Sequence, residues 1–98
     1  MPTAWIAVND RTAIPLLKAL KDLGYKVPAE VSVVGFDNVN ESHVVHPTLT
    51  TIHVYKNILG ERGVEKLLWR CRNPEAPAEE KFVNTELVVR NSTAAPNR

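Results

Sequence analysis

Two short apolar runs, each closed by an adjacent acid and amide, flank one amphipathic helix, and this order limits the chain to an α/β fold. Ala4-Trp5-Ile6-Ala7-Val8 is apolar without interruption and stops at Asn9-Asp10. A run of that kind reads as a strand of a parallel sheet covered on both faces. Ile14, Leu16, Leu17, Leu20 and Leu23 follow at helical spacing, with Lys18, Lys21 and Asp22 between them. The pattern predicts an amphipathic helix that ends at Gly24. Pro28 cannot continue it and restrains Val27 to extended geometry. A second run, Val31-Ser32-Val33-Val34-Gly35-Phe36, ends at Asp37-Asn38. Together these segments make one strand–helix–strand unit with two parallel strands.

The remainder continues the α/β pattern. Residues 38–47 carry little periodicity and read as irregular chain, after which the β-branched stretch Leu49-Thr50-Thr51-Ile52-His53-Val54 predicts a third strand. A second helix is expected over residues 56–72, with Ile58, Leu59, Val64, Leu67, Leu68 and Cys71 on its apolar side and Trp69 off it. Asn73-Pro74-Glu75-Ala76-Pro77 stops it. Final strands are expected at 81–83 and 86–90, followed by a polar tail, 91–98, that should fray.

The ends of the first two strands are where a ligand belongs. Open α/β sheets bind ligands just beyond the carboxyl ends of their strands, where loops leave room. Asn9, Asp10, Asp37 and Asn38 stand at those ends and should share one rim. A carboxylate accepts hydrogen bonds from neighbouring hydroxyls, and a carboxamide both donates and accepts, so the set suits a polyhydroxylated ligand. Other roles fit the same residues: Asp10 as the N-cap of the first helix, and Asp37 and Asn38 as groups that satisfy a turn.

Several function classes are a poor fit. A net charge of +1 over 98 residues gives no basic footprint for nucleic acid. The lone Cys71 cannot form an internal disulfide, which suits a reducing, cytoplasmic setting. No signal peptide or membrane span is visible, so no membrane partner is expected. The two glycosylation patterns, Asn40-Glu41-Ser42 and Asn91-Ser92-Thr93, then read as chance. His43, His46 and His53 lack an aligning helix and a clear further ligand, so surface histidines are expected in place of a metal site. Cys71 should be packed and has no activating neighbour in the pattern. Neither strand is followed by a glycine-rich phosphate loop. No metal, no cofactor and no enzyme activity are expected.

Pro2-Thr3-Ala4, Asn9-Asp10, Val27-Pro28 and Val31-Ser32-Val33-Val34-Gly35-Phe36-Asp37-Asn38 occur here in one order with Pro47-Thr48-Leu49-Thr50-Thr51-Ile52, Leu59-Gly60 and Thr85-Glu86-Leu87-Val88-Val89-Arg90. In that order and spacing they resemble the C-terminal third of LacI/GalR-type transcription regulators, over nearly the whole chain. The resemblance implies a periplasmic-binding-protein-like (type I) fold, a parallel sheet flanked by helices, of which this chain is a part. It implies effector sensing and homodimerisation in a bacterial DNA-binding regulator. The small-molecule effector would be a sugar or sugar derivative first and a purine second. Operator DNA would be met only through an N-terminal helix-turn-helix domain absent from these residues. Asn9 and Asp37 match positions from which family members contact the effector. The alternative is a piece of a periplasmic sugar-binding receptor of an ABC transporter, which shares the fold and would need an export signal upstream.

The resemblance also divides the chain. Residues 1–53 and 84–98 would belong to the C-terminal subdomain, and 54–83 would cross to the N-terminal one. Two positions depart from the family pattern. Pro15 replaces a small residue in the helix that lies at the dimer contact, and fits only if that helix starts near Thr12. Val54-Tyr55 replaces a segment that often carries a polar ligand contact.

Overall fold

Residues 1–96 are described by a computed structural model of the chain. They fall into two units, Met1–Val54 with the chain from Glu86 onward, and Tyr55–Thr85.

In the first unit, strand β1 is Ala4–Ile6 and helix α1 is Asp10–Asp22. Strand β2 is Ser32–Val34, β3 is Thr51–His53 and β4 is Glu86–Val88. β1 and β2 are parallel, with Ala4 opposite Ser32 and Ile6 opposite Val34. Their pairing continues past the regular strands: Ala7 N donates to Val34 O at 2.8 Å, and Asp10 N to Phe36 O at 2.9 Å. Parallel bridges at Val34–Thr50 and Asp37–His53 place β3 on the other side of β2. β4 returns antiparallel beside β3, with Ile52 opposite Leu87. The order across the unit is therefore β1-β2-β3-β4.

Helix α1 lays Ala13, Leu17 and Leu20 against Ala7, Val31, Val33 and Leu49, and these seven residues form the buried core. The helical spacing of the first three is what turns them to one side. The helix ends at a Leu23 cap followed by Gly24 at φ 88°, the left-handed position where a residue without Cβ carries no penalty.

Four expectations change. β1 is not covered on both faces: α1 shields Ala7, whereas Ile6 is 84% exposed and Val8 78%. α1 starts at Asp10, not near Thr12, so Pro15 lies inside the helix. It therefore cannot donate to the Arg11 carbonyl. Residues 40–43 form a turn of 3-10 helix (Asn40–His43) within the stretch read as irregular. The tail does not fray at its start: Ser92 is fully buried. The last two residues of that expected tail, 97 and 98, lie outside the described residues.

The second unit is built on helix α2, Lys56–Arg72, as the apolar spacing predicts. No residue of it is buried, and Cys71 is exposed where packing was expected. Beyond the helix the chain turns at 73–76, and residues 81–83 form no strand. Lys66 pairs with Glu79 and sits 5.0 Å from the centre of the Trp69 ring, while Arg70 donates to Ala76 O.

Candidate functional site

Parallel strands deliver their last residues to one edge, and the Asp10 N to Phe36 O hydrogen bond joins the two chain ends there. Asn9 and Asp37 consequently stand side by side, each half-buried. Asn9, not Asp10, is the N-cap of α1: its Oδ1 accepts from Thr12 N at 2.9 Å. That leaves the Asn9 Nδ2 donors uncommitted among the described residues.

Asp10 does not belong to the exposed rim. Its side chain is 0% exposed. Oδ1 accepts from Thr51 Oγ1 at 2.6 Å, and Oδ2 from Ser42 Oγ at 2.5 Å and Val39 N at 3.0 Å. No cation pairs with it among the described residues. Three donors and the first-turn position on α1, where the helix dipole favours negative charge, are what make the buried carboxylate tolerable. It fastens α1, the 3-10 turn and β3 together behind the rim. Gly35 is part of the arrangement: a Cβ there would stand 2.1 Å from Asp10 Oδ1 and 3.0 Å from Leu49 Cδ2.

Asp37 and Asn38 adopt φ values of 118° and 56°. Such angles are costly for residues with a Cβ, on the order of 1–3 kcal/mol each, and persist only where the surroundings enforce them. Asp37 N donates to Ile52 O at 2.9 Å, and Asn38 N to Thr51 Oγ1 at 3.3 Å. The Asn38 carboxamide is engaged at both ends, by Arg90 Nη2 at 2.7 Å and His53 Nδ1 at 2.9 Å. Of the four candidates, then, Asn9 and Asp37 line the edge, Asn38 sits behind them in a network, and Asp10 is interior.

Sequence reasoning passed over Ser42, Thr51, Arg90 and Ser92. Ser92 Oγ donates to Val33 O at 2.5 Å and accepts from Thr50 N at 2.8 Å, while its carbonyl accepts from Val33 N. It bridges β2 and β3 just before their direct pairing begins at Val34 and Thr50. Its partners lie 42 and 59 residues away, so no local pattern could have exposed the role. Among the described residues no cluster of histidine, cysteine and carboxylate groups could hold a metal. No helix among them is long and apolar enough to cross a membrane.

Comparison with known proteins agrees with this architecture. A family described as a periplasmic binding protein-like domain matches residues 1–93. The HTH-type transcriptional repressor PurR of Mannheimia succiniciproducens is 42% identical over 91 residues, covering 93% of this chain and 27% of that protein. A LacI family transcriptional regulator from Enterococcus faecium, solved with bound ribose, superposes with a TM-score of 0.81 at 35% identity, over 94% of this chain and 34% of that one. The dimeric Lac repressor with an 11-residue C-terminal deletion gives a TM-score of 0.85 at 35% identity, over 98% of this chain and 35% of that one. The chain thus spans about a third or less of the proteins it matches. These relatives are regulators of transcription and lend no support to the transporter-receptor alternative. With its parallel β1–β2 pair, its α1 packing and this breadth of likeness, the chain belongs to the periplasmic binding protein-like family, as part of the effector-binding domain of a LacI-family regulator.

Proposed function

We propose that this chain senses a small hydroxylated effector, with Asp37 and Asn9 as the contacting side chains. The observation that carries the reading is the pairing of those residues at one sheet edge, with Asp37 held at φ 118°. A strained backbone at a strand end is a hallmark of ligand sites. Asp37 would accept hydrogen bonds from adjacent hydroxyls, and the Asn9 amide would donate to a ring or hydroxyl oxygen. An effector lacking those hydroxyls would make neither contact and be rejected.

Ribose in the Enterococcus faecium relative favours a sugar. A purine is the second reading, favoured by the 42% identity to a repressor named PurR. In either case the effector biases the arrangement of the regulator, and that bias alters operator binding by a helix-turn-helix domain outside these residues. The regulator acts as a homodimer, as the dimeric Lac repressor does, and works in the cytoplasm, where its operator lies.

A thermal-shift panel of pentoses, hexoses, purine bases and nucleosides on the full-length regulator identifies the effector class. Calorimetry on Asp37→Ala then tests the site. The expected result is at least tenfold weaker binding, as for loss of a hydrogen bond to a charged group, with dimerisation intact. Unchanged affinity removes Asp37 from the site.

A further inference from the structure

Arg90, Asn38 and His53 form a chain of side-chain hydrogen bonds behind Asp37, and donor–acceptor logic fixes the state of each. Arg90 Nη2 lies 2.7 Å from Asn38 Oδ1, while Nη1 donates to Leu49 O at 3.0 Å. A guanidinium offers donors only, so the carbonyl oxygen of Asn38 must face Arg90 and its Nδ2 must face His53. An amide nitrogen can only donate. The atom it meets at 2.9 Å, His53 Nδ1, must therefore be an unprotonated acceptor. His53 in this arrangement is a neutral imidazole with its proton on Nε2.

The same segment carries the positive φ angles of Asp37 and Asn38. Two backbone hydrogen bonds, to Ile52 O and Thr51 Oγ1, anchor it to β3. The carboxamide grip adds to that restraint. We infer that the Arg90–Asn38–His53 chain is the positioning device of the rim: it holds Asp37 in its binding conformation while His53 is neutral, and so makes effector affinity depend on pH. The inference rests on the reading that Asp37 meets the effector. Arg90, Asn38 and His53 act through Asp37 and are not themselves contacts.

Protonation turns His53 Nδ1 into a donor that faces the Asn38 amide donor. Asn38 cannot flip in response, because the flip would set its NH2 against Arg90. One link must break. The charged groups around the imidazole include both signs: the two carboxylates favour the protonated ring and the guanidinium opposes it. Asp37 is its bridge neighbour on the β2 side, Glu86 is its cross-strand partner on β4, and Arg90 is the cation beyond Asn38. A protonated ring attracts both carboxylates and competes with the effector for Asp37. The neutral imidazole is the competent form, so affinity is full while the ring is unprotonated and falls when it takes up a proton.

Two arms on the full-length regulator test this. The first uses no ligand. In histidine-labelled protein at pH about 8, the ring-nitrogen shifts of His53, assigned with His53→Gln, should show an unprotonated Nδ1. That signature should be lost in Arg90→Ala. A protonated Nδ1 in the unmutated protein overturns the inference. The second arm is calorimetry with D-ribose and adenine as probes. Affinity should fall on the order of tenfold from pH about 8 to about 6, and similarly in Arg90→Ala, with Arg90→Lys between. Asn38→Asp is decisive, because it keeps the Arg90 link while a carboxylate accepts from a protonated ring. Its affinity should rise as pH falls, and retention of the original slope overturns the inference. If neither probe binds the unmutated protein, the effector reading of Asp37 fails, and the ring-nitrogen arm decides the hydrogen-bond chain by itself.

Discussion

Asp10 and Gly35 depend on each other, since the carboxylate occupies the space where any Cβ at position 35 would stand. Gly35→Ala should lower stability by about 2–3 kcal/mol through overpacking against Asp10 and Leu49, measured as a drop in the urea midpoint. Asp10→Ala removes the acceptor of two hydroxyls and a backbone N–H in a buried site. Its cost should reach about 3 kcal/mol or more. A Ser42→Ala, Thr51→Ala double-mutant cycle should show the two hydroxyls coupled by at least about 0.5 kcal/mol, because one carboxylate serves both. Strict additivity would separate them. The sequence made the strand-end placement of Asn9 and Asp37 legible, because strand ends are marked by where apolar runs stop. It could not reveal that Asp10, one residue on, turns inward, because its hydroxyl partners lie 32 and 41 residues away. It also gave the cap of α1 to Asp10 where the structure gives it to Asn9, since either residue type caps helices.

Helix α1 carries its own test in Pro15. Pro15→Ala restores a donor to the Arg11 carbonyl and should raise stability by about 1–2 kcal/mol, seen as a higher urea midpoint with an unchanged m-value. A lower midpoint would mean that the ring makes packing contacts worth more than the missing bond. On the same helix, Asp22 holds the Lys18 ammonium above its ordinary value, first through the 2.8 Å hydrogen bond and then through its charge. A raised lysine contributes its stability below the unfolded value of 10.5 and loses it as pH rises through the higher folded one. Lys18→Met should therefore leave the shape of the stability profile unchanged at neutral pH and alter it only in strong alkali. Elements as such were readable: α2 occupies the expected 56–72, and β1, β2 and β3 lie inside their predicted runs. Strand lengths were overestimated, because an apolar run records where a chain is suited to pair, not how far a regular ladder extends. Residues 81–83 were misread for the same reason: Phe82 and Val83 suit a strand but gain no partner strand.

At the scale of the molecule, burial was the property least legible. An apolar pattern reports a face intended for cover, not what covers it. Ile6 and Val8 in the first unit, and Leu67 and Leu68 in the second, are all open to solvent. Apolar faces of this kind mark association surfaces. The 98-residue chain alone should therefore bind a hydrophobic-surface dye and elute above monomer size, and Leu67→Lys with Leu68→Lys should reduce both signals. A dye-inert monomer would contradict this. Ser92 has a different consequence, one of timing. Protein synthesis delivers the rim from Asn9 to His53 well before it delivers the residue that bolts β2 to β3. A nascent polypeptide thus carries every candidate contact and still lacks the fastening, which arrives only after the segment around Ser92 has emerged from the ribosome.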